Sequence, residues 1–290
     1  MTTEIKYKIR PAYSFIDEAF DIKKTSGYQL TILIGVDGIA ISINEKLINK
    51  YIAFESYTFQ QVFNFDLVTD LIDILVKTSK LIEHKYKSVV CVLINNFSTI
   101  IPNPLFEEDK KELYLKFNAG IDDAVVMVDE MPNLDAKTIF AFPLILKTKL
   151  DSLFTSINYH HFSSGLIESL LIQNKNQPAK RLFVHIQPTH LETIVIEGKN
   201  LLFYNTFNHH SAEDFIYYLL FVCEQLQLNP ENIEVFLIGE IEKGSTIFSL
   251  AQKYFRNLKF GTRNDVADYS YQLQTLPKHY YYSLFNNYLL

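Results

Sequence analysis

The chain has 290 residues, of which 48% are hydrophobic and 21% are charged, a composition typical of a globular protein and far from that of a disordered one. Its 27 basic and 33 acidic side chains give a net charge of -6, without the long basic run that nucleic-acid binding usually needs. We therefore expect one large or two modest domains and no nucleic-acid partner.

The cysteines and the N-terminus indicate the cellular compartment. Cys91 and Cys223 each lie inside an apolar run, which is typical of buried thiols rather than of a disulfide or a zinc site. Residues 1–11 are polar and lack the apolar stretch of a signal peptide. No apolar run approaches the roughly 18 residues that indicate a membrane span. The sequence therefore predicts a cytoplasmic protein without a membrane span.

The first part of the chain predicts three strands, a helix and a fourth strand. Asp37-Gly38 separates two strand-like runs and is the dipeptide of a type I′ hairpin turn. Apolar residues at helical spacing, with charged residues between them, then predict a helix. The predicted elements are strands at 29–36, 39–44, 47–54 and 88–94 and a helix at 66–83.

The same order recurs after 174–178, a polar, Pro-containing stretch of the kind that separates domains. Ser211, with Asp214 three residues later, predicts a capping box at the start of the next helix. The predicted elements are strands at 181–187, 191–197, 201–207, 232–238 and 258–262 and helices at 211–228 and 245–255.

This recurrence predicts an internal duplication. The three-strand units align without gaps at a shift of 153 positions, the separation of Tyr51 from Tyr204, and the shift becomes 144 at the fourth strand. The same shift pairs Lys46 with Lys199 and Phe54 with Phe207. We therefore predict a first half over 1–174, with an inserted subdomain around 95–137, and a second half over 175–290.

The remaining segments predict an insertion and an apolar C-terminus. Predicted in and after the insertion are strands at 124–128 and 138–142 and helices at 107–117, 143–155 and 164–172. Residues 277–290 are rich in Tyr, Phe and Leu. We favour a terminal helix docked on its own half over a partner-binding segment, because so apolar a tail is seldom left in water.

Two tandem ribonuclease H-like β-β-β-α-β-α units resemble the layout of the actin, sugar-kinase and Hsp70 superfamily, in which ATP binds in the cleft between the halves. More specifically, four segments are similar to a Bacteroidetes family of unknown function, the domain-of-unknown-function family 3822; they are 97–102, 105–106, 205–207 and 213–220. The resemblance covers essentially the whole chain. It implies an α/β fold with actin-like ATPase architecture and attaches no activity to it.

In that superfamily the first hairpin of each half carries Asp-x-Gly, so that backbone N–H groups meet the phosphates and the carboxylate positions Mg²⁺ and water. The sequence alignment places Leu33 at the first carboxylate position and Ile186 at the second. Gly35 keeps the glycine in the first half, whereas Pro188 replaces it in the second. We therefore predict no catalytic residue, and the predicted turn accounts for Asp37 without catalysis.

The superfamily's adenosine-binding segment is an apolar strand that ends in paired glycines and a hydroxyl residue. Residues 236–245 retain the strand and Gly239 but place Glu240 and Glu242 where a phosphate or nucleobase would approach. We favour a strand-to-helix loop in which Ser245 is the N-cap of the following helix. The histidines at 160–161, 185 with 190, and 209–210 lack the spacing of a metal site, so we predict no metal.

Two functions fit these patterns. The first is a non-catalytic scaffold or protein-interaction module of the bacterial cytoplasm, with an unknown protein partner and no cofactor. The alternative is a nucleotide-binding ATPase or switch, with ATP and Mg²⁺ as the candidate cofactor, held by the backbone amides of a cleft around Gly35, Asp37, Gly38 and Gly239. Carboxylates in an open cleft favour the alternative, and aromatic side chains that fill the cleft favour the first function.

Overall fold

The computed structural model describes residues 10–59, 64–82, 84–116, 123–264 and 266–286. Its strands are β1 (Tyr13–Ile16), β2 (Tyr28–Ile34), β3 (Gly38–Glu45), β4 (Lys50–Thr58), β5 (Ser88–Leu93), β6 (Ser98–Pro102), β7 (Ala124–Met131), β8 (Ala136–Pro143), β9 (Asn158–His161), β10 (Lys180–Ile186), β11 (His190–Glu197), β12 (Asn200–Asn208), β13 (Glu234–Gly239), β14 (Asn257–Phe260) and β15 (Asp268–Tyr269). Its α-helices are α1 (Phe65–Thr78), α2 (Lys111–Lys116), α3 (Leu144–Leu153), α4 (Phe162–Asn174), α5 (Ala212–Gln225), α6 (Thr246–Tyr254) and α7 (Tyr282–Phe285).

Two of the three sheets share one strand order. The first sheet has the order β1-β4-β3-β2-β5-β9, with β15 also paired to β4, and the second has the order β12-β11-β10-β13-β14. In both, two antiparallel hairpin connections are followed by parallel strands. The third sheet, β6-β8-β7, lies in the predicted insertion and runs on to the end of β8. None of the helices in the described ranges is long and apolar enough to cross a membrane.

The local helix signals are confirmed. The Ser211 hydroxyl accepts a hydrogen bond from the Asp214 N–H at 3.0 Å, and the Asp214 carboxylate accepts one from the Ser211 N–H at 3.2 Å, which completes the predicted capping box. The hydroxyl of Ser245 accepts from the Phe248 N–H at 3.2 Å and caps α6 as predicted. Both cysteines are buried and free.

The first two hairpins differ from their predicted form. Neither Asp37 nor Gly38 has a positive φ, so the predicted type I′ turn is wrong. Instead, a longer loop closes with a hydrogen bond from the Gly35 N–H to the Gly38 carbonyl at 2.9 Å. The third strand was predicted at 47–54, but β4 begins at Lys50, because the chain turns beforehand with Asn49 at a φ of 48° and leaves Leu47 90% exposed.

The predicted shift of 153 positions is wrong by one residue. The first hairpin ends on the pair Ile34 and Ile39 and the second on the pair Ile186 and Leu191, so equivalent residues in these strands lie 152 positions apart. At the fourth strand the shift is 146 rather than 144, because Ile34 pairs with Leu93 and Ile186 pairs with Gly239.

This correction changes the face on which each residue lies, because neighbouring residues of a strand point to opposite sides. His185, not Ile186, is the equivalent of Leu33, and Gln187, not Pro188, is the equivalent of Gly35. The residue matches of Tyr51 with Tyr204 and of Phe54 with Phe207 are not structural equivalences either.

An irregularity of the ladder is shared by the two sheets. The register between β3 and β4 shifts between Ile43 and Asn44, and that between β11 and β12 shifts between Val195 and Ile196, at the same offset of 152 positions. Internal duplication stays a prediction, and it is supported by common strand order and a common bulge rather than by residue identity.

A single hydrophobic cluster joins the two sheets. It contains residues of the first sheet, the second sheet, α4 and the C-terminal segment, among them Leu33, Phe54, Phe162, Leu166, Phe183, Ile194, Leu284 and Phe285. Nearly every residue of α4 is buried, as is typical of a helix enclosed on all sides. Two further clusters pack α1 and α3 on the first sheet and α5 and α6 on the second.

The C-terminal segment is part of this shared cluster. Tyr282, Leu284 and Phe285 are at most 2% exposed, and the Tyr282 hydroxyl donates to Gln173 Oε1 at 2.8 Å. The segment therefore docks across both sheets rather than on its own half alone, and α7 is the one helix within its described residues, 277–286. Residues 287–290 of the predicted helix lie outside the described residues.

Phe54→Ala should lower the free energy of unfolding by about 3 to 5 kcal/mol, because it leaves a cavity where the fully buried ring meets Tyr281 and Phe285. Leu47→Ala is the matched control and should change it by less than about 0.5 kcal/mol, since Leu47 is exposed. Urea unfolding of both variants measures the difference. A loss below about 1 kcal/mol for Phe54→Ala would contradict the shared core.

Candidate functional site

A cavity of about 390 Å³ lies between the β2–β3 and β10–β11 hairpins, at the carboxyl end of β13. Three of the four predicted nucleotide positions, Asp37, Gly38 and Gly239, line this cleft, and Glu240 lines it with them. The cleft is therefore where the strand topology brings the ends of both sheets together.

Close packing against the backbone requires one glycine of the first hairpin. A Cβ atom at Gly38 would lie 2.8 Å from the carbonyl oxygen of Tyr57, whereas one at Gly35 would lie 2.6 Å from Asp37 Oδ1, a side-chain atom that can move away. The Gly35 N–H is already bonded to the Gly38 carbonyl. Internal packing thus explains Gly38 without a ligand.

The second hairpin is closed in the same way. The Gln187 N–H donates to the His190 carbonyl at 2.9 Å. His209 follows β12 and holds this loop from outside, because its backbone N–H donates to the Thr189 carbonyl at 3.1 Å and its Nε2 bonds the Gln187 carbonyl at 3.0 Å. The loop is therefore fixed by backbone and histidine contacts.

Gly239 ends β13 and is also bonded within the chain. Its φ of +101° and the 2.3 Å separation that a Cβ would have from the Ile186 carbonyl both require glycine. Its N–H donates to the carbonyl of His279 at 2.9 Å. The C-terminal segment thus accepts the hydrogen bond of the Gly239 N–H. By the resemblance, Gly239 belongs to the adenosine-binding segment.

A buried carboxylate bridges two histidines beneath the cleft. Glu192 is fully buried; its Oε2 accepts from Nδ1 of His185 at 2.7 Å, and its Oε1 lies 3.1 Å from Nε2 of His190. The Nε2 atom of His185 lies 3.2 Å from the Ser283 hydroxyl and 3.2 Å from the Gln187 amide nitrogen. Because a carboxylate only accepts, Nδ1 of His185 carries a proton, and the Nε2 atom of the neutral ring can accept from the Ser283 hydroxyl.

The contacts of Glu192 with His185 and His190 shift the pKa values of the buried groups beneath the cleft. Burial alone would raise the pKa of Glu192, but the hydrogen bond from His185 and the close contact with His190 outweigh it and lower that pKa to about 2. Burial alone would lower the pKa of His190, but its contact with Glu192 outweighs burial and raises it. The fold therefore holds an ionised carboxylate in its interior.

The cleft itself presents carboxyl groups. Burial raises the pKa of Asp37. Burial also raises the pKa of Glu240, to about 6; the nearby Tyr281 hydroxyl opposes this shift, and the charge of Asp37 adds to it. Solvent reaches the Glu240 residue and screens part of the effect. Across the described ranges, no group of three or more His, Cys, Asp or Glu side chains is arranged to hold a metal ion.

The sequence did not predict the buried contact between His185 and Glu192 or the place of the C-terminal segment at the cleft. Tyr281 and Ser283 both line the cleft, with Tyr281 at an unusual φ of 48°. The available signal was Glu192, a charged residue within a mostly apolar strand, since such residues are seldom buried without a partner.

Glu192→Gln should lower the free energy of unfolding by about 1.5 to 3 kcal/mol at neutral pH, because it removes the charged acceptor of the buried His185 N–H and the negative charge beside His190. The lowered pKa means that this stabilisation is present above the usual value of 4.5 and is lost as pH falls through about 2. Glu197→Gln, at the half-buried end of β11, is the control. Equal stability of the two variants in chemical unfolding at pH 7 would contradict the bridge.

Glu240→Gln should become more stable relative to the wild type as pH rises from about 4.5 to above 6. The raised pKa stabilises the folded state below the usual value of 4.5, and this advantage disappears as Glu240 ionises near pH 6. Thermal unfolding of both proteins across this range measures the change. Glu242→Gln is the exposed control, and a pH-independent difference for Glu240→Gln would contradict the assignment.

Comparison with known proteins agrees with this architecture. A Bacteroides thetaiotaomicron protein with an actin-like ATPase fold and unknown function is 25% identical, with a TM-score of 0.73 over 89% of this chain and 98% of that one. A PilM–PilN type IV pilus biogenesis complex gives a TM-score of 0.57 at 13% identity, over 89% of this chain and 97% of that one.

These structural likenesses confirm the predicted α/β fold class and its actin-like ATPase architecture. No curated protein sequence matches the chain significantly. The model of the family described as a protein of unknown function, DUF3822, matches residues 17–258, which confirms the predicted resemblance, and the chain therefore belongs to the DUF3822 family.

Proposed function

We propose that this chain is a non-catalytic protein of the actin-like fold that acts as a protein-interaction module. One observation carries the proposal: three backbone amides in or beside the cleft are bonded within the chain. The N–H groups of Gly35, Gln187 and Gly239 each donate to a carbonyl of the chain at 2.9 Å. A phosphate that relies on backbone amides needs such groups free and convergent, so these three bonds argue against a triphosphate at this place.

The side chains of the cleft support the same conclusion. Leu33 and His185 stand at the places where the superfamily has its two carboxylates. Asp37 and Glu240 add negative charge to a chain whose net charge is already -6, and this repels an anionic ligand. Tyr281 fills part of the cleft from the C-terminal segment.

The nucleotide alternative has one observation in its favour. Asp37 and Glu240 enter the cleft from opposite sheets, and carboxylates are the ligands that Mg²⁺ prefers. Mg²⁺ in nucleotide sites is usually held between one or two carboxylates and the phosphates themselves. The three amides named above are already bonded and no Lys or Arg in the described ranges lines the cavity, so we favour the non-catalytic function.

A protein partner is consistent with the known use of this fold. PilM, which shares the fold, forms a complex with PilN. We extend to this chain only the class of activity, the binding of another protein, and we place it in the bacterial cytoplasm. The Bacteroides thetaiotaomicron relative supports an origin in the Bacteroidetes.

Mg-ATP titration followed by thermal unfolding tests the proposal. We expect no saturable rise in the melting temperature and no phosphate release, whereas a ligand at 100 times its dissociation constant would stabilise the fold by about 2.7 kcal/mol. Mg²⁺ alone is the control for nonspecific ion effects. A saturable rise would contradict the proposal, and its loss in Asp37→Asn would place the nucleotide in the cleft.

A further inference from the structure

The outer strand of the second sheet has an open edge of unusual composition. β12 stands at the end of that sheet and has nine residues, none of which is Lys, Arg, Asp, Glu or Pro. Natural proteins normally protect such edges with charges, proline or very short strands, because unpaired backbone groups attract another strand. Except for the bulge near its start, β12 lacks these protections.

The other strands at sheet ends in the described ranges do carry such protections. β14 has four residues and includes Lys259, and β9 also has four residues. β6 ends in Pro102, and β7 carries Asp129 and Glu130. The open edge of β12 is therefore a local property and not a general feature of these sheets.

This edge borders a groove. A cavity of about 560 Å³ separates β12 from β6, and none of its lining residues is charged. Hydrogen-bonding side chains such as Thr99 and Asn208 alternate there with apolar ones such as Ile100 and Phe203. A neutral lining in a chain of net charge -6 does not attract a phosphorylated or nucleic-acid ligand. It suits an uncharged polypeptide segment.

One backbone N–H of β12 at the groove donates to a side chain rather than to a neighbouring strand. The Thr206 N–H donates to Oδ1 of Asn205 at 2.9 Å, a bond to its neighbouring side chain rather than to β11. In an antiparallel pair, every second residue turns its N–H and carbonyl away from the partner strand. Thr206 is such a residue, and an incoming strand can replace the Asn205 contact.

We propose that the groove between β6 and β12 binds an extended, uncharged segment of a protein partner, which adds as a strand to the edge of β12. This inference rests on the proposed function as an interaction module. Main-chain hydrogen bonds provide affinity in this mode, and alternate side chains provide specificity. The seven lining positions between Leu201 and Asn208 match a segment of about six to eight residues at about 3.3 Å per residue.

Two substitutions at one position provide the test. Thr206→Pro removes the outward N–H and blocks an added strand, while β11 keeps its own ladder, because proline is tolerated where an edge N–H faces away from the sheet. Thr206→Val keeps the N–H and the strand and removes the hydroxyl. Circular dichroism melting of both variants verifies that they fold.

The probe is a synthetic ten-residue peptide, selected on the wild-type protein from a random display library and measured by fluorescence anisotropy. We expect saturable binding by wild type and Thr206→Val and at least a tenfold weaker affinity for Thr206→Pro. N-methylation of alternate peptide residues should abolish binding in one register and leave it intact in the other, because only every second amide of an added strand faces β12.

Three outcomes would overturn the inference: no peptide selected, equal affinity of Thr206→Pro and wild type, or a wild-type dimer in sedimentation that Thr206→Pro disrupts. The last outcome would identify a second copy of this chain as the occupant. An incorrect groove proposal can be told apart from an incorrect proposed function, because Mg-ATP binding and peptide binding are measured in separate experiments. A protein that binds neither Mg-ATP nor the peptide would agree with the proposed function and would contradict only the groove.

Discussion

The packing of the C-terminal segment between the two sheets is the constraint on which the rest of the structure depends. Arg263 anchors it: the buried guanidinium donates to the carbonyls of Leu273, Leu276 and Pro277 at 3.0 to 3.2 Å, and it lies over the rings of Tyr269 and Phe285. A buried charge is tolerated only with such partners. Once the segment is held in this way, its apolar residues complete a core that neither sheet could complete alone.

The same segment determines the character of the cleft. It contributes the His279 carbonyl to the Gly239 amide, the Ser283 hydroxyl to His185, and the Tyr281 ring to the cavity wall. Glu192 then connects the cleft to the open edge, because it bridges His185 and His190 and is paired with Thr206 in the ladder. Core, cleft and groove are thus parts of one packed unit.

The sequence predicted what is local and missed what is long-range. Strand order, the Ser211 capping box and the Ser245 cap follow from short patterns and are confirmed. The register does not follow: buried strands are apolar on both faces, so an alignment displaced by one residue matches nearly as well and assigns Ile186 to the place of His185. The short strands β6 and β9 were also missed. Their pairing depends on β8 and β5, which are distant in sequence.

Amide hydrogen exchange is the most direct test of whether the three amides of the cleft are bonded within the chain. We expect the N–H groups of Gly35, Gln187 and Gly239 to be protected from exchange in the protein alone, because each is hydrogen-bonded to a carbonyl of the chain. We also expect saturating Mg-ATP to leave their exchange rates unchanged. Rapid exchange at these three amides, followed by protection when Mg-ATP is added, would show that they are free to bind phosphate and would contradict the account.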